Sequence, residues 1–330
     1  MIQPINSNIT ITLNSPGKVN LHLAVGKKRE DGFHELNSIF AALDFADSLA
    51  FSLLPGNEAR TTINIRNEGP LSELLQKGQL FPHFPVKNNI IYQAAGLFRQ
   101  KTGFSTNLRI ELIKRIPPGS GLGGGSSNAA TTLLAMNELS SPSGIKLSRE
   151  EMLDMAAKLG SDVPFFVEIA LQRSKKSSAR IVNGRGEFFS YVPPPPPLGV
   201  LLAFPGFISH TGDAYRLLDE NRPVVSKMDS IESKDFSWAS PENWNFSNDF
   251  QHIFTKYNSD RNSRTYVTIL KSLKKAGAVF TSLSGSGSAC FGLFSSPEKA
   301  MQAEKNIYEI LFEPKPDILA FKSTFFLPSD

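Results

Sequence analysis

The stretch Pro117-Pro118-Gly119-Ser120-Gly121-Leu122-Gly123-Gly124-Gly125-Ser126-Ser127-Asn128-Ala129-Ala130 decides how this 330-residue chain is read. Five glycines in the seven positions from Gly119 to Gly125 leave main-chain N–H groups clear of any Cβ, so a diphosphate can approach them closely. Leu108 to Ile113 alternates as a strand ahead of the loop, and Ala129 to Leu139 returns to good helix formers with an apolar face. In the order strand, glycine loop, helix, the positive N-terminal end of the helix faces the same charge that the loop receives. Serines at the mouth of the loop add hydroxyl donors or a ligand for Mg²⁺. A plain flexible turn is the competing reading, and a glycine density this high directly before a strong helix signal speaks against it.

Other phosphate loops fit less well. No Lys-Ser or Lys-Thr follows the glycines, which excludes the Walker A pattern. Gly119, Gly121 and Gly124 do match the dinucleotide spacing, but the acidic strand end expected about 20 residues on is replaced by Ser140-Ser141-Pro142-Ser143-Gly144. The protein-kinase set of a valine-lysine strand, a His-Arg-Asp loop and Asp-Phe-Gly is missing as well.

Working outward, Ile9 to Leu13 alternates as a half-buried strand, and Val19 to Val25 continues the pattern after Ser15-Pro16-Gly17. Asn89 begins a helix that carries Ile90, Ile91, Ala94, Ala95 and Phe98 at helical spacing, with Gly103 as its stop. Ser148 and Glu151 form a capping box for a helix over 149–159, and Gly160 ends it just before Ser161-Asp162-Val163-Pro164. Pro193 to Pro197 reads as a stiff connector, and 222–248 as polar and loop-rich. A helix over 265–276 precedes strands at 278–283 and 290–294, which Ser284-Gly285-Ser286-Gly287-Ser288 joins. Ser296-Pro297 opens a further helix, and 319–327 reads as a strand.

The composition narrows the function classes. A net charge of +4, without a basic stripe, suits anionic small molecules and argues against nucleic acid as a partner. No apolar run approaches the roughly 18 residues of a transmembrane helix, and residues 1–14 lack the halves of a secretory signal, so a cytoplasmic protein without a membrane partner is expected. Cys290 is the one cysteine and the five histidines are scattered, so no protein metal cluster is expected.

Pro117 to Ala130 resembles the second motif of the GHMP kinases, and Leu283-Ser284-Gly285-Ser286-Gly287-Ser288-Ala289 resembles their third. The first appears as Ser15-Pro16-Gly17-Lys18-Val19-Asn20-Leu21. Its continuation, Arg29-Glu30-Asp31-Gly32-Phe33-His34-Glu35-Leu36, together with Leu159-Gly160-Ser161-Asp162-Val163-Pro164-Phe165-Phe166, is similar to the members that act on a cytidine diphosphate-linked methylerythritol. The resemblance runs from Ser15 to Phe294, with Gly184-Arg185-Gly186-Glu187 and Asn248-Asp249-Phe250 as further landmarks. It is weakest over 171–179 and 222–245, and Phe33 stands where tyrosine is common.

The resemblance implies a two-domain α+β fold. Residues 1–165 would form a nucleotide-binding domain like ribosomal protein S5 domain 2, and 166–330 a ferredoxin-like α/β sandwich, with the substrate between them. It implies ATP and Mg²⁺ as cofactors and transfer of the γ-phosphate to the 2-hydroxyl of the methylerythritol, in the non-mevalonate route to isopentenyl diphosphate, by a monomer or weak homodimer. Asp162 would take the hydroxyl proton, and Lys18 would hold the aspartate and the hydroxyl in line. A carboxylate is a weak base toward an alcohol, so it would act late, in a loose transition state. The loop from Pro118 through Asn128 would hold the polyphosphate and Asn89 the adenine. Asn20, Phe33, His34, Thr211, Gly285 and Ser286 would contact the substrate, Phe33 by stacking on cytosine and His34 by hydrogen bonding. A GHMP kinase for an alcohol without cytosine, or a silent nucleotide sensor, shares the loop. Retention of both Lys18 and Asp162 speaks against silence.

Overall fold

The structure, a computed structural model, describes residues 9–79, 88–172, 177–221, 231–232, 236–256, 260–313 and 319–328. Parts of the two divergent stretches, 173–176, 222–230 and 233–235, lie outside the described residues, as do residues 1–8.

The two alternating segments near the N-terminus form one strand, β1 (Thr10–Lys28). Ser15-Pro16-Gly17 does not break it. Pro16 lacks the N–H that a ladder needs, and the strand absorbs this as a register shift between Pro16 and Lys18. A turn with Arg29 N–H donating to Phe33 O at 2.6 Å leads back into β2 (His34–Leu54), antiparallel to β1. Phe33 thereby sits at the tip of a long hairpin. The first sheet is completed by β3 (Thr61–Asn67), parallel to β4 (Asn107–Lys114), and by β5 (Ala179–Gly184) and β6 (Phe188–Tyr191). Its order is β3-β4-β2-β5-β6, with β1 pairing β2.

Helices α1 (Gly69–Gln76), α2 (Ile90–Thr102), α3 (Gly124–Ser140), α4 (Arg149–Leu159) and α5 (Val163–Leu171) belong to this half. One face of the sheet, with Phe51 and Leu112, is packed by Phe98 of α2, Leu133 and Met136 of α3, and Phe165 of α5. Each such side chain contributes on the order of 1.5–3 kcal/mol of apolar burial. The boundary expected near residue 165 falls within α5, and the strands that follow it, β5 and β6, still pair into the first sheet.

The second sheet, in the order β10-β7-β9-β8, contains β7 (Gly199–Pro205), β8 (Phe280–Leu283), β9 (Cys290–Phe294) and β10 (Leu319–Phe325). Its inner face, with Leu202, Phe204 and Phe291, meets Val19, Leu21 and Ile39 on the remaining face of the first sheet. Its outer face, with Leu201, Ala203 and Cys290, packs on Ile253 of α7 (Asp249–Lys256), Ile269 and Leu273 of α8 (Arg261–Lys275), and Ile307 of α9 (Pro297–Ile310). The layers are therefore helices, sheet, sheet, helices. A further helix, α6 (Thr211–Glu220), carries Ala214 and Leu218 into the same outer cluster. The end of β10 and the residues after it return to the first sheet, where Leu327 N–H donates to Ala42 O at 2.9 Å and Phe45 N–H to Thr324 Oγ1 at 3.1 Å.

Candidate active site

Three segments distant in sequence meet along one line. Lys18 N–H in β1 donates to Leu122 O at 2.9 Å, while Ser288 N–H donates to Gly119 O at 3.1 Å and Ala289 N–H to Ser120 O at 3.0 Å. The Ser284 hydroxyl adds a bond to Gly121 O at 2.9 Å. All three glycine-containing motifs of the sequence thus share main-chain hydrogen bonds.

Helix α3 begins at Gly124, five residues before the start read from helix propensity at Ala129, because Gly123 takes the left-handed conformation (φ 68°) at the N-cap. Glycine's low propensity matters little in a first turn, where the chain has just left the loop. The N–H groups of Gly124, Gly125 and Ser126 occupy the first three helical positions and have no acceptor within the helix. Gly125 is exposed, and Ser126 is half-buried beside it. Together these form a turn of free donors at a positive helix end, which suits a polyphosphate. Ser127 and Asn128 are placed differently from the rest of the expected set. Both are buried, and they receive the Ser15 hydroxyl at 2.8 and 2.7 Å, so their side chains anchor the loop to β1 from beneath.

The loop also rests on a buried acid that the sequence reading passed over. Asp47 in β2 is fully buried and accepts Arg115 N–H at 2.7 Å and Ile116 N–H at 2.9 Å, the two residues that lead into the loop. The Lys114 ammonium pairs with the same carboxylate, and burial pushes that ammonium down while Asp47 pulls it up.

Lys18 is 3% exposed, and its ammonium donates to Asn20 Oδ1 at 2.6 Å and lies 3.5 Å from Asp162 Oδ2. It also sits 4.7 Å from the Phe40 ring centroid, a cation over an aromatic face. Asn20 is held in turn by donating to Ser38 Oγ at 3.0 Å. Asp162 precedes α5 but makes no side-chain capping bond, so its carboxylate is turned to Lys18 rather than to the helix. A Cβ built on Gly285 would stand 3.6 Å from both Lys18 Nζ and Asn20 Oδ1, which brings the third glycine loop to the same point. Asn248 secures that loop by donating to Gly285 O at 2.9 Å and Leu283 O at 3.0 Å, a role that explains the Asn248-Asp249-Phe250 landmark.

Thr211 opens α6 with its Oγ1 3.3 Å from Ser286 Oγ. Phe33 is 49% exposed at the hairpin tip, with the Arg185 guanidinium 4.8 Å from its centroid. His34 is buried, with Nε2 2.9 Å from Asp219 Oδ1 and its ring stacked on Tyr215 at 4.7 Å. Burial, with a smaller contribution from the nearby Asp162 charge, pushes the Tyr215 phenol up. Tyr215 follows Thr211 by four residues on α6, one helical turn, and that spacing was the available signal for it. Asn89 caps α2 by accepting Ile91 N–H at 3.0 Å.

Among the described residues no group of three or more His, Cys, Asp or Glu side chains could hold an ion. No helix is long and apolar enough to cross a membrane among those residues.

Comparisons with known proteins identify the family. The sequence profile of the GHMP kinases N terminal domain matches residues 89–168, and that of the GHMP kinases C terminal domain matches 230–311. The 4-diphosphocytidyl-2-C-methyl-D-erythritol kinase of Treponema pallidum (strain Nichols) is 33% identical over 304 residues, covering 90% of this chain and 94% of the relative. Its namesake from Prochlorococcus marinus (strain AS9601) is 33% identical over 301 residues, covering 88% of each chain. Among solved structures, a 4-(cytidine 5'-diphospho)-2C-methyl-D-erythritol kinase superposes with a TM-score of 0.66 at 26% identity over 96% of this chain and 98% of that one. Mevalonate kinase of L. major shares the fold at 16% identity, with a TM-score of 0.57 over 100% of this chain and 99% of its own. With an identity of 33% sustained over nine-tenths of its length, the chain belongs to the 4-diphosphocytidyl-2-C-methyl-D-erythritol kinase family of the GHMP kinases.

Proposed function

We propose that this enzyme transfers the γ-phosphate of ATP to the 2-hydroxyl of 4-diphosphocytidyl-2-C-methyl-D-erythritol, yielding the 2-phosphate and ADP in non-mevalonate isoprenoid precursor biosynthesis. The observation that carries the reading is the Lys18 ammonium, 3.5 Å from the Asp162 carboxylate, on the line where the three glycine motifs join. In this reading Asp162 accepts the proton of the attacking hydroxyl as the O–P bond forms, and the bond to the ADP leaving oxygen breaks in line. Lys18, positioned by Asn20, holds the carboxylate and neutralises charge that builds on the transferring phosphoryl. The free N–H groups of Gly124, Gly125 and Ser126 receive the polyphosphate, and Asn89 faces the adenine while it caps its helix.

Mg²⁺, travelling with ATP, would lower the charge on the β- and γ-oxygens and keep several of its waters. The half-buried Ser126 hydroxyl is the side chain of the loop suited to meet it, since Ser127 is taken up by Ser15. Phe33, His34 and Thr211 line the substrate side, with Asn20 at the erythritol and Gly285 and Ser286 closing the phosphate end. A cytoplasmic monomer or weak homodimer accompanies this proposal, and sedimentation of the purified protein tests the oligomeric part.

Purified enzyme with ATP, Mg²⁺ and the cytidine diphosphate-linked substrate should release ADP, with free CDP as a competitor. Turnover no higher than that of a Lys18→Ala, Asp162→Asn double variant, or indifference to CDP, would reject the assignment.

A further inference from the structure

Behind His34 on the substrate side stands a built cluster to which the proposed reaction gives no role, at the foot of the β1–β2 turn. His34, the first residue of β2, is buried, and its Nε2 lies 2.9 and 3.1 Å from the two carboxylate oxygens of Asp219 in α6. One face of the imidazole is stacked on Tyr215, with centroids 4.7 Å apart and planes at 26°, and Tyr215 is itself braced edge-on by Phe250 at 4.9 Å. The ring is therefore fixed in plane by the stack and in rotation by the acid.

An ionised carboxylate only accepts hydrogen bonds, so the neutral imidazole places its proton on Nε2 and leaves the lone pair on Nδ1. Nδ1 makes no hydrogen bond to any described residue, so the acceptor is available to a ligand. We propose that Asp219 is a specificity-determining positioning residue. By holding His34 in the Nε2–H form, it makes Nδ1 an acceptor for the exocyclic amino group of a cytosine and thereby rejects uracil. This rests on the cytidine substrate proposed above. At the position of that amino group uracil carries a carbonyl oxygen, and two acceptors facing each other in a buried site lose the bond and repel. A site that fixes the donor and acceptor pattern discriminates far more sharply than one that relies on shape. An asparagine at 219 can donate to Nε2 as well as accept from it, so the opposite tautomer, with its proton on Nδ1, becomes accessible and complements uracil.

The test compares kcat/KM for the cytidine diphosphate-linked substrate and its uridine analogue in wild type, Asp219→Asn and Asp219→Ala, with ¹⁵N spectra of His34. Wild type should favour cytidine by about 100-fold or more, with His34 protonated on Nε2. Both variants should narrow the ratio by at least about tenfold, while KM for ATP stays unchanged. A proportionate fall with both substrates, leaving the ratio intact, would mean that Asp219 only supports the fold and would overturn the proposal. So would a proton on His34 Nδ1 in the wild-type spectrum, which needs no variant to fold. Absence of turnover in wild type, with CDP and UDP bound equally, would instead overturn the cytidine reading itself.

Discussion

Ser284 donates its hydroxyl to the Gly121 carbonyl at 2.9 Å across 163 residues of sequence, so the second and third glycine loops are one hydrogen-bonded unit. A Cβ built on Gly121 would meet Ser284 O at 2.0 Å, and the residue has φ +75°, which side chains adopt at a cost. Gly121→Ala should therefore lower stability by about 2–4 kcal/mol, seen as a lower denaturation midpoint in urea, with ATP binding weakened even where the protein folds. Gly125→Ala is the control. Its Cβ would find nothing closer than Ile90 Cγ2 at 3.9 Å, so the midpoint should hold while KM for ATP rises. Equal midpoints for the two variants would contradict the packing argument.

Asp162→Asn keeps shape and removes the proposed base. Its kcat should fall by roughly 10²–10⁴-fold with little change in KM or thermal midpoint, since the side chain caps no helix. Adding Lys18→Met to that variant should cost less than in wild type, because the two groups act together at 3.5 Å. Steady-state kinetics of the four proteins decides this. Full additivity would separate the roles.

Ser15→Ala deletes the bonds to Ser127 and Asn128 beneath the phosphate loop. Two buried polar groups lose their partner, so a stability loss of about 1–3 kcal/mol is expected, together with weaker ATP binding from a less ordered α3 start. Chemical denaturation and calorimetric titration with an ATP analogue measure the two effects. A stability loss with untouched nucleotide affinity would confine Ser15 to the fold.

Cys290 is buried in β9, and burial pushes its thiol well above the ordinary range. A thiol without thiolate character reacts slowly, so a disulfide reagent should leave the native enzyme unlabelled and active, and modify it at the rate of unfolding. Fast stoichiometric labelling of the native protein would contradict the burial.

Much of the site was legible because its residues lie in short contiguous motifs. Lys18, Asn20, the loop from Gly119 to Ser126 and Gly285, all named from those motifs, lie together in the structure. The capping box at Ser148 and Glu151 and the stop at Gly103 are realised by local hydrogen bonds, which sequence encodes directly. The first half of strand β2 was missed because it is buried on both faces through Ser38–Leu43 and shows no period-2 alternation there, whereas the alternation from Phe45 to Phe51 was present in the sequence and went unread. Asp47 and Asp219 were missed for another reason: each acts through a partner on a distant element, Arg115 for Asp47 and His34 for Asp219, that local pattern cannot supply. Ser127 shows the converse limit, since its place in the motif is local but the direction of its side chain is set by Ser15, 112 residues earlier.

Phe45 in the first sheet donates its N–H to the hydroxyl of a threonine 279 residues later, and the Ala42 carbonyl beside it waits for Leu327. On the ribosome, the first sheet therefore emerges with these two main-chain groups of its central strand still unpaired, although β1, β4 and β5 already flank it. Those two groups find their partners only once residues 324–327 have been made, so the last fastening of the first sheet follows synthesis of the second.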